Sequence, residues 1–469
     1  MTRPTASHPS IGILGVGYMG IATGLAFARR GRRVVAYDIA PRVRAALRRG
    51  RCPYREAGLA ALLRTEVRRG RFSVVNSMAE LAAEADVIFV CVPTPSRRTG
   101  QVDLRPLRAA VGELGHALRP VPRHRVVVVK STVVPGTTEE VVEPLLRRAS
   151  RKGPAALGVA VNPEFLSEGR MVRDALEPAR IVVGVTDPRS RNALRGAYAG
   201  FPAPILALSP SGAELVKHAS NAFLALKVSF ANELSRWTEQ MGGSVDDVAA
   251  AVGADPRIGA AFLQAGPGFG GSCFDKDLRA FLHRAGELGV PLRSAEAALA
   301  INREQTDHAF ELVRASIGPL RGKRVALLGV AFKAGTDDVR ESRAFPIVER
   351  LAAAGARVRL HDPAALRNFE REWRGRPGAA GVSVTFCPSI PAALRGADLA
   401  VVQVDWPEYR TWNRRWSRLM RTPRLVDLRR VVEPRAAARA GVRIASLGVG
   451  PAHSSRPVPV ARRRRRRER

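Results

Sequence analysis

Cysteine, aromatic residues and acidic residues are all scarce in this chain of 469 residues. Each scarcity argues for or against particular classes of function. The four cysteines lie far apart without a CxxC pair, which argues against a disulfide framework or a zinc site. Aromatic residues make up 6% of the chain, few for the stacking surfaces of single-stranded nucleic-acid binders. We therefore expect a cytoplasmic protein that binds no metal.

The acidic deficit leaves 42 Asp+Glu against 76 Lys+Arg, a formal net charge of +34. This balance suggests a nucleic acid, an anionic membrane surface or an anionic substrate as partner. Most of the charge is dispersed along the chain, which disfavours a nucleic-acid site except for non-specific binding by the Arg462–Arg467 run. Only seven basic residues are lysines, so a lysine marks a position worth inspecting: Lys130, Lys152, Lys217, Lys227, Lys276, Lys323 and Lys333.

The chain has a long uncharged run from Ile11 to Ala28, which is rich in glycine. Its glycines fit a nucleotide-binding turn better than a membrane helix, so we predict no export signal and no membrane span.

Short β-branched runs alternate with helical stretches in both the N-terminal and the C-terminal parts of the chain, whereas the middle shows helical periodicity alone. This pattern predicts an α/β protein with two Rossmann-like, doubly wound parallel-sheet domains joined by a central helical region with a long helix. We place these parts at residues 1–208, 209–316 and 317–450, followed by a disordered Arg-rich tail at 451–469. The predicted strands are Ile11–Leu14, Arg33–Tyr37, Asp86–Val92, Arg125–Val129, Gly158–Val161, Ile181–Val185, Arg324–Gly329, Arg357–His361, Val382–Phe386, Ala397–Val404 and Arg424–Leu428.

The first predicted strand runs into the glycine fingerprint Gly15-Val-Gly17-Tyr18-Met19-Gly20, which opens a helix. Such a turn places a pyrophosphate against the helix N-terminus. Asp38 ends the next strand, where a carboxylate accepts hydrogen bonds from both ribose hydroxyls and disfavours a 2′-phosphate. The pattern predicts NAD as cofactor. Two later strands end in the polar turns that contain Pro93-Thr94 and Thr132, which suit the same crevice.

The strongest local signal is the run from Gly266 to Asp277, in which glycines precede Cys273 and a helix follows it. A thiol at a helix N-terminus with Lys276 three residues on is expected to have a lowered pKa and to act as a nucleophile. Lys217 and Asn221 share one helix face, and Glu164 and Glu168 lie together in the loop after Val161.

These motifs together resemble the nucleotide-sugar dehydrogenase family, the UDP-glucose/GDP-mannose dehydrogenases, over about residues 11–447. The resemblance rests on the glycine fingerprint with Asp38, CVPTP at Cys91–Pro95, STVxPGT at Ser131–Thr137 and NPEFLxEG at Asn162–Gly169. It continues through ExxKxxxN at Glu214–Asn221, the GFGGSCFxKD block that ends at Asp277, AFK at Ala331–Lys333 and DDVRES at Asp337–Ser342.

The resemblance implies that NAD oxidises a sugar C6 alcohol twice, through a thiohemiacetal and a thioester on Cys273. Lys217 and Asn221 would stabilise the oxyanion, Asp277 and Thr132 would hold or deprotonate the water, and Glu164 would be an acid/base. Lys276 would bias Cys273 towards thiolate and contact cofactor or sugar. The implied cofactor-binding residues are Gly15, Gly17, Tyr18, Met19, Gly20, Asp38, Pro93, Thr94, Thr132, Glu168, Lys276 and, across the domain interface, Arg340. The implied substrate-binding residues are Glu164, Phe165, Leu166, Lys217, Asn221, Arg257 (from a partner subunit), Phe262, Leu263, Gly270, Lys333 and Arg429.

UDP-glucose is the favoured substrate, and a homodimer or higher homo-oligomer is expected through the central helices. Two alternatives within the family are oxidation of GDP-mannose and oxidation of a UDP-N-acetylhexosamine, since those relatives share the Cys, Lys and Asn. A single-hydride hydroxyacid dehydrogenase is a more distant alternative, against which the GGSC block and the third domain count.

Overall fold

A computed structural model describes residues 8–450 apart from 98, 154, 378 and 380. The predicted tail at 451–469 lies outside the described residues. The chain divides into two compact units, one of Met1–Phe223 with Ser272–Ala295 and the other of Leu224–Gly271 with the rest of the chain from Glu296. We call them unit 1 and unit 2.

Unit 1 contains one sheet of eight strands in the order β3-β2-β1-β4-β5-β6-β7-β8 once they are numbered along the chain. The strands are β1 Ile11–Leu14, β2 Val34–Tyr37, β3 Phe72–Val74, β4 Val87–Val90, β5 Arg125–Val129, β6 Leu157–Val161, β7 Ile181–Val185 and β8 Ile205–Leu208. The helices before the long one are α1 Tyr18–Arg29, α2 Pro41–Arg48, α3 Leu59–Arg68, α4 Met78–Glu84, α5 Arg105–Leu118, α6 Glu143–Ser150, α7 Met171–Leu176 and α8 Pro188–Tyr198, and a π-helical turn occupies Thr138–Val142.

The long helix α9, Pro210–Met241, begins in unit 1 and continues into unit 2. It is followed by α10 Val245–Gly253, α11 Phe274–Glu287 and α12 Arg293–Ile317. Because α11 belongs to unit 1 and most of α12 to unit 2, the predicted helical region at 209–316 is shared between the two compact units. The predicted three-part boundaries therefore stay a prediction.

Unit 2 contains one sheet of six parallel strands in the order β11-β10-β9-β12-β13-β14. The strands are β9 Arg324–Leu328, β10 Arg357–His361, β11 Val384–Phe386, β12 Leu399–Val402, β13 Arg424–Asp427 and β14 Arg443–Ser446. The helices are α13 Ala344–Ala353, α14 Leu366–Arg374, α15 Ile390–Leu394, α16 Arg414–Leu419 and α17 Pro434–Arg439, with a 3₁₀ turn at Pro407–Tyr409.

Both sheets have the strand order of a doubly wound Rossmann fold, which confirms the predicted fold class. The central strands are apolar because helices cover both faces of a parallel sheet, and all five residues of β5 are buried. One pair departs from the predicted parallel sheet, since β6 and β7 run antiparallel through Ala160–Val185 and Val161–Gly184. Antiparallel edge extensions of this kind are common in large α/β sheets.

The glycine-rich run that could pass for a membrane segment forms β1, a tight turn and α1. Within residues 8–450, leaving aside 98, 154, 378 and 380, no helix combines the length and apolar character needed to cross a bilayer.

Candidate active site

The glycine fingerprint forms the turn between β1 and α1, and each glycine has a different reason to lack a side chain. Gly15 has a φ of +90°, and a Cβ on it would lie 2.9 Å from the carbonyl oxygen of Cys91. A Cβ on Gly20 would lie 2.0 Å from the carbonyl oxygen of Gly15. Gly17 has no atom within 4 Å of its Cβ position, so the turn leaves open space in front of the first turn of α1.

Asp38 follows β2, and its carboxylate ties the same turn together. One oxygen accepts the N–H of Val16 at 2.8 Å, and the other accepts the N–H of Ala40 at 2.9 Å. Each oxygen keeps a lone pair for a further donor such as a ribose hydroxyl. Tyr54, which the sequence did not single out, donates its hydroxyl hydrogen to the carbonyl of Val16 at 2.7 Å, and its ring centroid lies 4.7 Å from that of Tyr18.

This turn fits NAD on the grounds of its own geometry. The N-terminus of α1 has no capping side chain among the described residues, so its first-turn amides and the helix dipole suit a pyrophosphate. The open space at Gly17 admits the phosphates, and Asp38 is placed for a ribose. The remaining predicted cofactor residues of this turn, Tyr18 and Met19, are the first two residues of α1.

The segments after β4 and β5 lie side by side at the carboxyl end of the sheet. Pro93 and Thr94 follow β4, and the Thr94 hydroxyl donates to the carbonyl of Thr132 at 2.7 Å. The segment of Thr132 is fixed from the other side by Glu214 of α9, which accepts the N–H groups of Gly136 and Thr138 at 2.7 and 2.9 Å. Burial raises the pKa of Glu214 to about 7, although the hydrogen bonds from Thr138 and Gly136 lower it.

Cys273 is the N-cap residue of α11, directly before Phe274. The prediction that the thiol lies at a helix N-terminus is therefore confirmed. The neighbouring Ser272 hydroxyl is 3.6 Å from Sγ and donates to Glu168 at 3.2 Å, so Glu168 lies beside the thiol segment.

Two hydrogen-bonded pairs bring the predicted catalytic side chains together in unit 1. Lys217 Nζ donates to Glu164 Oε1 at 2.8 Å, and Asn221 Nδ2 donates to Asp277 Oδ2 at 2.6 Å. Lys217 and Asn221 lie one turn apart on α9, as their spacing predicted, and both are buried. Each of the two side chains that the resemblance assigns to the oxyanion is thus held by a carboxylate of the predicted catalytic set.

The predicted lowering of the Cys273 pKa is wrong. Although the residue keeps an exposed face, burial of the thiol raises its pKa, and the carboxylates of Asp277 and Glu164 raise it further. Lys217 is the cation that acts on the thiol in the opposite direction. Lys276 instead lies 2.7 Å from Asp277 Oδ1. The sequence spacing suggested Lys276 for this role because it ignores which carboxylate each ammonium pairs with.

Opposing charges set the other two pKa values in this cluster. Burial alone would raise the pKa of Asp277, but Lys276, Lys217 and His218 outweigh it and lower that pKa. Burial alone would lower the pKa of Lys217, but Glu164, Asp277 and Cys273 outweigh it and raise that pKa. The cluster therefore keeps a protonated ammonium and an ionised carboxylate close to the thiol.

The loop after β6 carries two predicted substrate residues beside Lys217. The ring of Phe165 has Lys217 Nζ 5.8 Å from its centroid and the Arg180 guanidinium 4.1 Å from it. The N–H of Leu166 donates to Glu164 Oε2 at 2.5 Å, which holds the carboxylate towards Lys217.

In unit 2, helical side chains fix the backbone of the glycine-rich segment before Cys273. Asn302 accepts the N–H of Phe269 at 2.6 Å and donates to its carbonyl at 3.1 Å. Gly266 is held in the same way, since its N–H donates to Asn232 at 2.8 Å and its carbonyl accepts from Gln305 at 3.0 Å. Asn302 and Gln305 were not predicted from the sequence, because their only signal is a polar residue on the buried face of a helix.

The predicted nucleotide residues of unit 2 follow the carboxyl ends of its strands. Arg429, after β13, is partly buried and donates to the carbonyl of Gln403 at 3.0 Å. Burial lowers its pKa. The side-chain amide of Gln403 is fully buried and makes no hydrogen bond to any described residue, which makes it a further candidate that the sequence analysis missed. Lys333 follows β9, with Nζ 5.4 Å from the ring centroid of Phe332.

The remaining predicted residues of unit 2 differ in exposure. Arg340 pairs with Asp338, and its carbonyl accepts the N–H of Gly271 at 2.9 Å. A Cβ on Gly270 would lie 2.2 Å from the carbonyl oxygen of Glu341. Arg257 is exposed and pairs with Asp255, Phe262 is partly exposed with a φ of +66°, and Leu263 is buried.

Comparison with known proteins agrees with this arrangement along almost the whole chain. Three family models of the UDP-glucose/GDP-mannose dehydrogenase family match: the NAD binding domain at residues 9–202, the central domain at 211–304 and the UDP binding domain at 326–434. The chain is 38% identical over 448 residues to UDP-glucose 6-dehydrogenase of Rhizobium meliloti (strain 1021), covering 93% of this chain and 99% of that protein.

Two solved structures are similar in fold as well as sequence. A UDP-glucose dehydrogenase from Pyrobaculum islandicum has a TM-score of 0.86 and 38% identity, covering 95% of this chain and 99% of its own. A UDP-D-ManNAc dehydrogenase from Pyrococcus horikoshii has a TM-score of 0.80 and 26% identity, covering 94% and 99%. The chain therefore belongs to the UDP-glucose/GDP-mannose dehydrogenase family, whose members are NAD-dependent nucleotide-sugar dehydrogenases.

Proposed function

We propose that this enzyme oxidises the C6 alcohol of UDP-glucose to the carboxylate of UDP-glucuronate, with two NAD as acceptors. The observation that carries the proposal is the position of Cys273 beside two preformed pairs, Lys217–Glu164 and Asn221–Asp277. A single-hydride dehydrogenase has no use for a thiol at this point, whereas oxidation to an acid requires a covalent aldehyde adduct that can lose a second hydride.

Each oxidation removes a hydride from the sugar carbon and a proton from its oxygen, and NAD, when bound at the glycine turn, would supply the hydride acceptor. After the first oxidation, Cys273 Sγ forms a bond to the aldehyde carbon, and the carbonyl oxygen becomes the hydroxyl of a thiohemiacetal. Loss of the second hydride and of the hydroxyl proton leaves a thioester. Water then adds to the thioester carbon and the C–S bond breaks, which releases the carboxylate and returns the thiol.

The charges around Cys273 suit these steps. Lys217 and the second N–H of Asn221 are placed to stabilise negative charge on the sugar oxygen. The ionised Asp277 and the hydroxyl of Thr132 are assigned to the attacking water, and Glu164 to proton transfer at the reacting carbon. Because burial raises the thiol pKa, Cys273 is expected to lose its proton to a neighbouring carboxylate as it attacks the aldehyde.

We assign the nucleotide half of the substrate to Lys333, Arg429, Leu263, Gly270 and Phe262 of unit 2. This assignment is supported by the UDP binding domain model at residues 326–434. The cofactor is assigned to the glycine turn with Asp38, Pro93, Thr94 and Glu168, and Arg340 stays a predicted cofactor residue. Lys276 is assigned to cofactor or sugar through its position beside Asp277.

UDP-glucose is preferred over GDP-mannose and UDP-N-acetylhexosamines because several relatives at 38% identity are UDP-glucose 6-dehydrogenases. UDP-N-acetylhexosamines are the alternative substrates to be tested, because the chain is also 26% identical to the UDP-D-ManNAc dehydrogenase of Pyrococcus horikoshii.

The assembly and location are also part of the proposal. Helix α9 exposes a row of large apolar side chains, Phe223, Phe230, Trp237 and Met241, at spacings of seven, seven and four residues, which favours a homodimer through this helix. Arg257, with an exposed side chain, is assigned to the partner's substrate site. Four unpaired cysteines favour the reducing cytoplasm. The boundaries 1–208, 209–316 and 317–450 are proposed as the functional division.

The decisive experiment measures NADH formed per sugar across UDP-glucose, GDP-mannose and UDP-N-acetylhexosamines. We expect two NADH per UDP-glucose and a kcat/KM at least about tenfold higher for UDP-glucose than for the others. Cys273→Ser is expected to abolish steady NADH production. One NADH per sugar, or wild-type turnover in the serine variant, would overturn the thioester route.

A further inference from the structure

His218 is a buried polar residue that the reaction as proposed does not use. It follows Lys217 on α9 and is 1% exposed. Its ring lies between two other segments of unit 1: Nε2 is 2.9 Å from the carbonyl oxygen of Val133, and Nδ1 is 3.2 Å from the carbonyl oxygen of Asp277. Phe281 of α11 packs beside it, with ring centroids 5.6 Å apart.

Both partners of the ring are backbone carbonyl oxygens and therefore acceptors. A neutral imidazole has one N–H, whereas two carbonyl oxygens would both be satisfied only by the charged form. Burial lowers the pKa of His218, and Lys276 lowers it further, while Asp277 and the two carbonyls raise it without reversing the direction. The ring is therefore neutral near neutral pH, and the shorter contact assigns its proton to Nε2.

The Nε2 contact joins the elements that carry the hydrolytic groups. Val133 directly follows Thr132, and Asp277 supplies both a carbonyl towards the ring and the carboxylate that accepts from Asn221. Glu214, from the same helix, fixes the far end of the Thr132 segment at Gly136 and Thr138. His218 is the side chain of α9 that contacts a backbone carbonyl in the segment from Thr132 to Gly136, namely that of Val133.

We propose that His218 is a positioning residue for thioester hydrolysis: its Nε2–H holds Val133 and so sets the distance between Thr132 and Asp277. The proposal rests on the proposed function, in which these two residues hold the attacking water. His218 does not act as the acid or base, because both ring nitrogens face carbonyl oxygens and the side chain has almost no contact with solvent.

The test compares three variants of His218 that distinguish the contribution of Nε2 from that of Nδ1. In His218→Gln the amide nitrogen takes the place of Nε2 and can donate to Val133, whereas in His218→Asn it takes the place of Nδ1. His218→Phe keeps the ring and removes both nitrogens. His283→Gln, a histidine on α11 paired with Glu287, is the matched control.

Full-length enzyme is mixed with UDP-glucose and NAD, quenched, and analysed by intact-protein mass spectrometry beside the NADH trace. We expect the Asn and Phe variants to accumulate the acyl adduct on Cys273 after a burst of NADH, with hydrolysis slowed about tenfold or more and KM little changed. We expect the Gln variant and the control to stay within about twofold of wild type, with an unchanged pH profile of hydrolysis.

The proposal is overturned if His218→Gln is as slow as His218→Asn, or if the Asn and Phe variants form no adduct. The proposal would also be overturned if the pH profile of hydrolysis had an acidic limb in wild type that was lost in His218→Gln, because His218 would then carry a proton in the reaction. If wild type itself forms one NADH per sugar, the proposed function fails instead. Amide exchange at residues 131–138 then still tests the contact with Val133. Of the three His218 variants, only His218→Gln should keep wild-type protection from exchange. Faster exchange in the Gln variant would refute that contact.

Discussion

Removal of the Asn302 side chain should destabilise unit 2 more than truncation of an exposed polar side chain on the same helix, α12. Asn302 makes two hydrogen bonds to one residue, at 2.6 Å from the N–H of Phe269 and at 3.1 Å to its carbonyl. Asn302→Ala removes both of these hydrogen bonds from the buried backbone of Phe269. At about 1–3 kcal/mol for each backbone group that loses its hydrogen bond to Asn302, the expected loss in free energy of unfolding is about 2–6 kcal/mol.

The same substitution should reduce catalysis, because Phe269 lies four residues before Cys273. We expect kcat to fall about 10- to 100-fold if the thiol segment shifts by about an ångström. The assay is urea unfolding followed by circular dichroism, with amide exchange at Phe269 as a local probe. Glu304→Ala is the matched control, since Glu304 is an exposed residue of α12 in a surface pair with Arg236 and should cost less than about 1 kcal/mol. An Asn302→Ala protein within about 0.5 kcal/mol of wild type, with unchanged exchange at Phe269, would refute the reasoning.

Three further substitutions test other parts of the molecule. Lys217→Met removes the cation that lowers the Cys273 pKa, so the pH of half-maximal alkylation by iodoacetamide should rise; an unchanged midpoint would contradict the charge balance described above. Asp38→Ala removes the carboxylate that is placed for a ribose, so the ratio of kcat/KM for NAD to that for NADP should fall about tenfold, and a constant ratio would remove Asp38 from cofactor choice. Glu214→Gln removes a carboxyl group whose pKa is raised from 4.5 to about 7 in the native state. Because the native state holds this proton more tightly than the unfolded state does, the free energy of unfolding of wild type should fall by up to about 3 kcal/mol relative to the variant as pH rises from about 4.5 to 7. Parallel pH–stability curves for the two proteins would show that Glu214 is not titrating.

The central strands could be predicted from sequence because they are continuous apolar runs, as in Arg125–Val129 and Ile181–Val185. The three strands that the prediction missed, β3, β8 and β14, all lie at sheet edges. Edge strands have fewer buried residues, and β8 reads Ile-Leu-Ala-Leu with three exposed positions, so its pattern does not distinguish it from a loop.

The residue types of the candidate site could be predicted, but not their partners. The four-residue spacing of Lys217 and Asn221 fixes a shared helix face, whatever the rest of the chain does. That Lys217 pairs with Glu164, and Lys276 with Asp277, depends on contacts between segments far apart in sequence. The predicted direction of the Cys273 pKa shift is wrong for the same reason, because tertiary structure buries the thiol and places the carboxylates of Asp277 and Glu164 near it.

Unit 1 is assembled from two separate stretches of chain, and this affects the order in which the enzyme can form during synthesis. Residues up to Phe223 leave the ribosome first, whereas Ser272–Ala295 follow only after about fifty residues of unit 2. Until α11 arrives, Asn221 has no Asp277 to bond, and one side of His218 lacks its carbonyl. The nascent unit therefore lacks the native partners of these polar groups, and it becomes complete when the segment that carries the reactive thiol joins it.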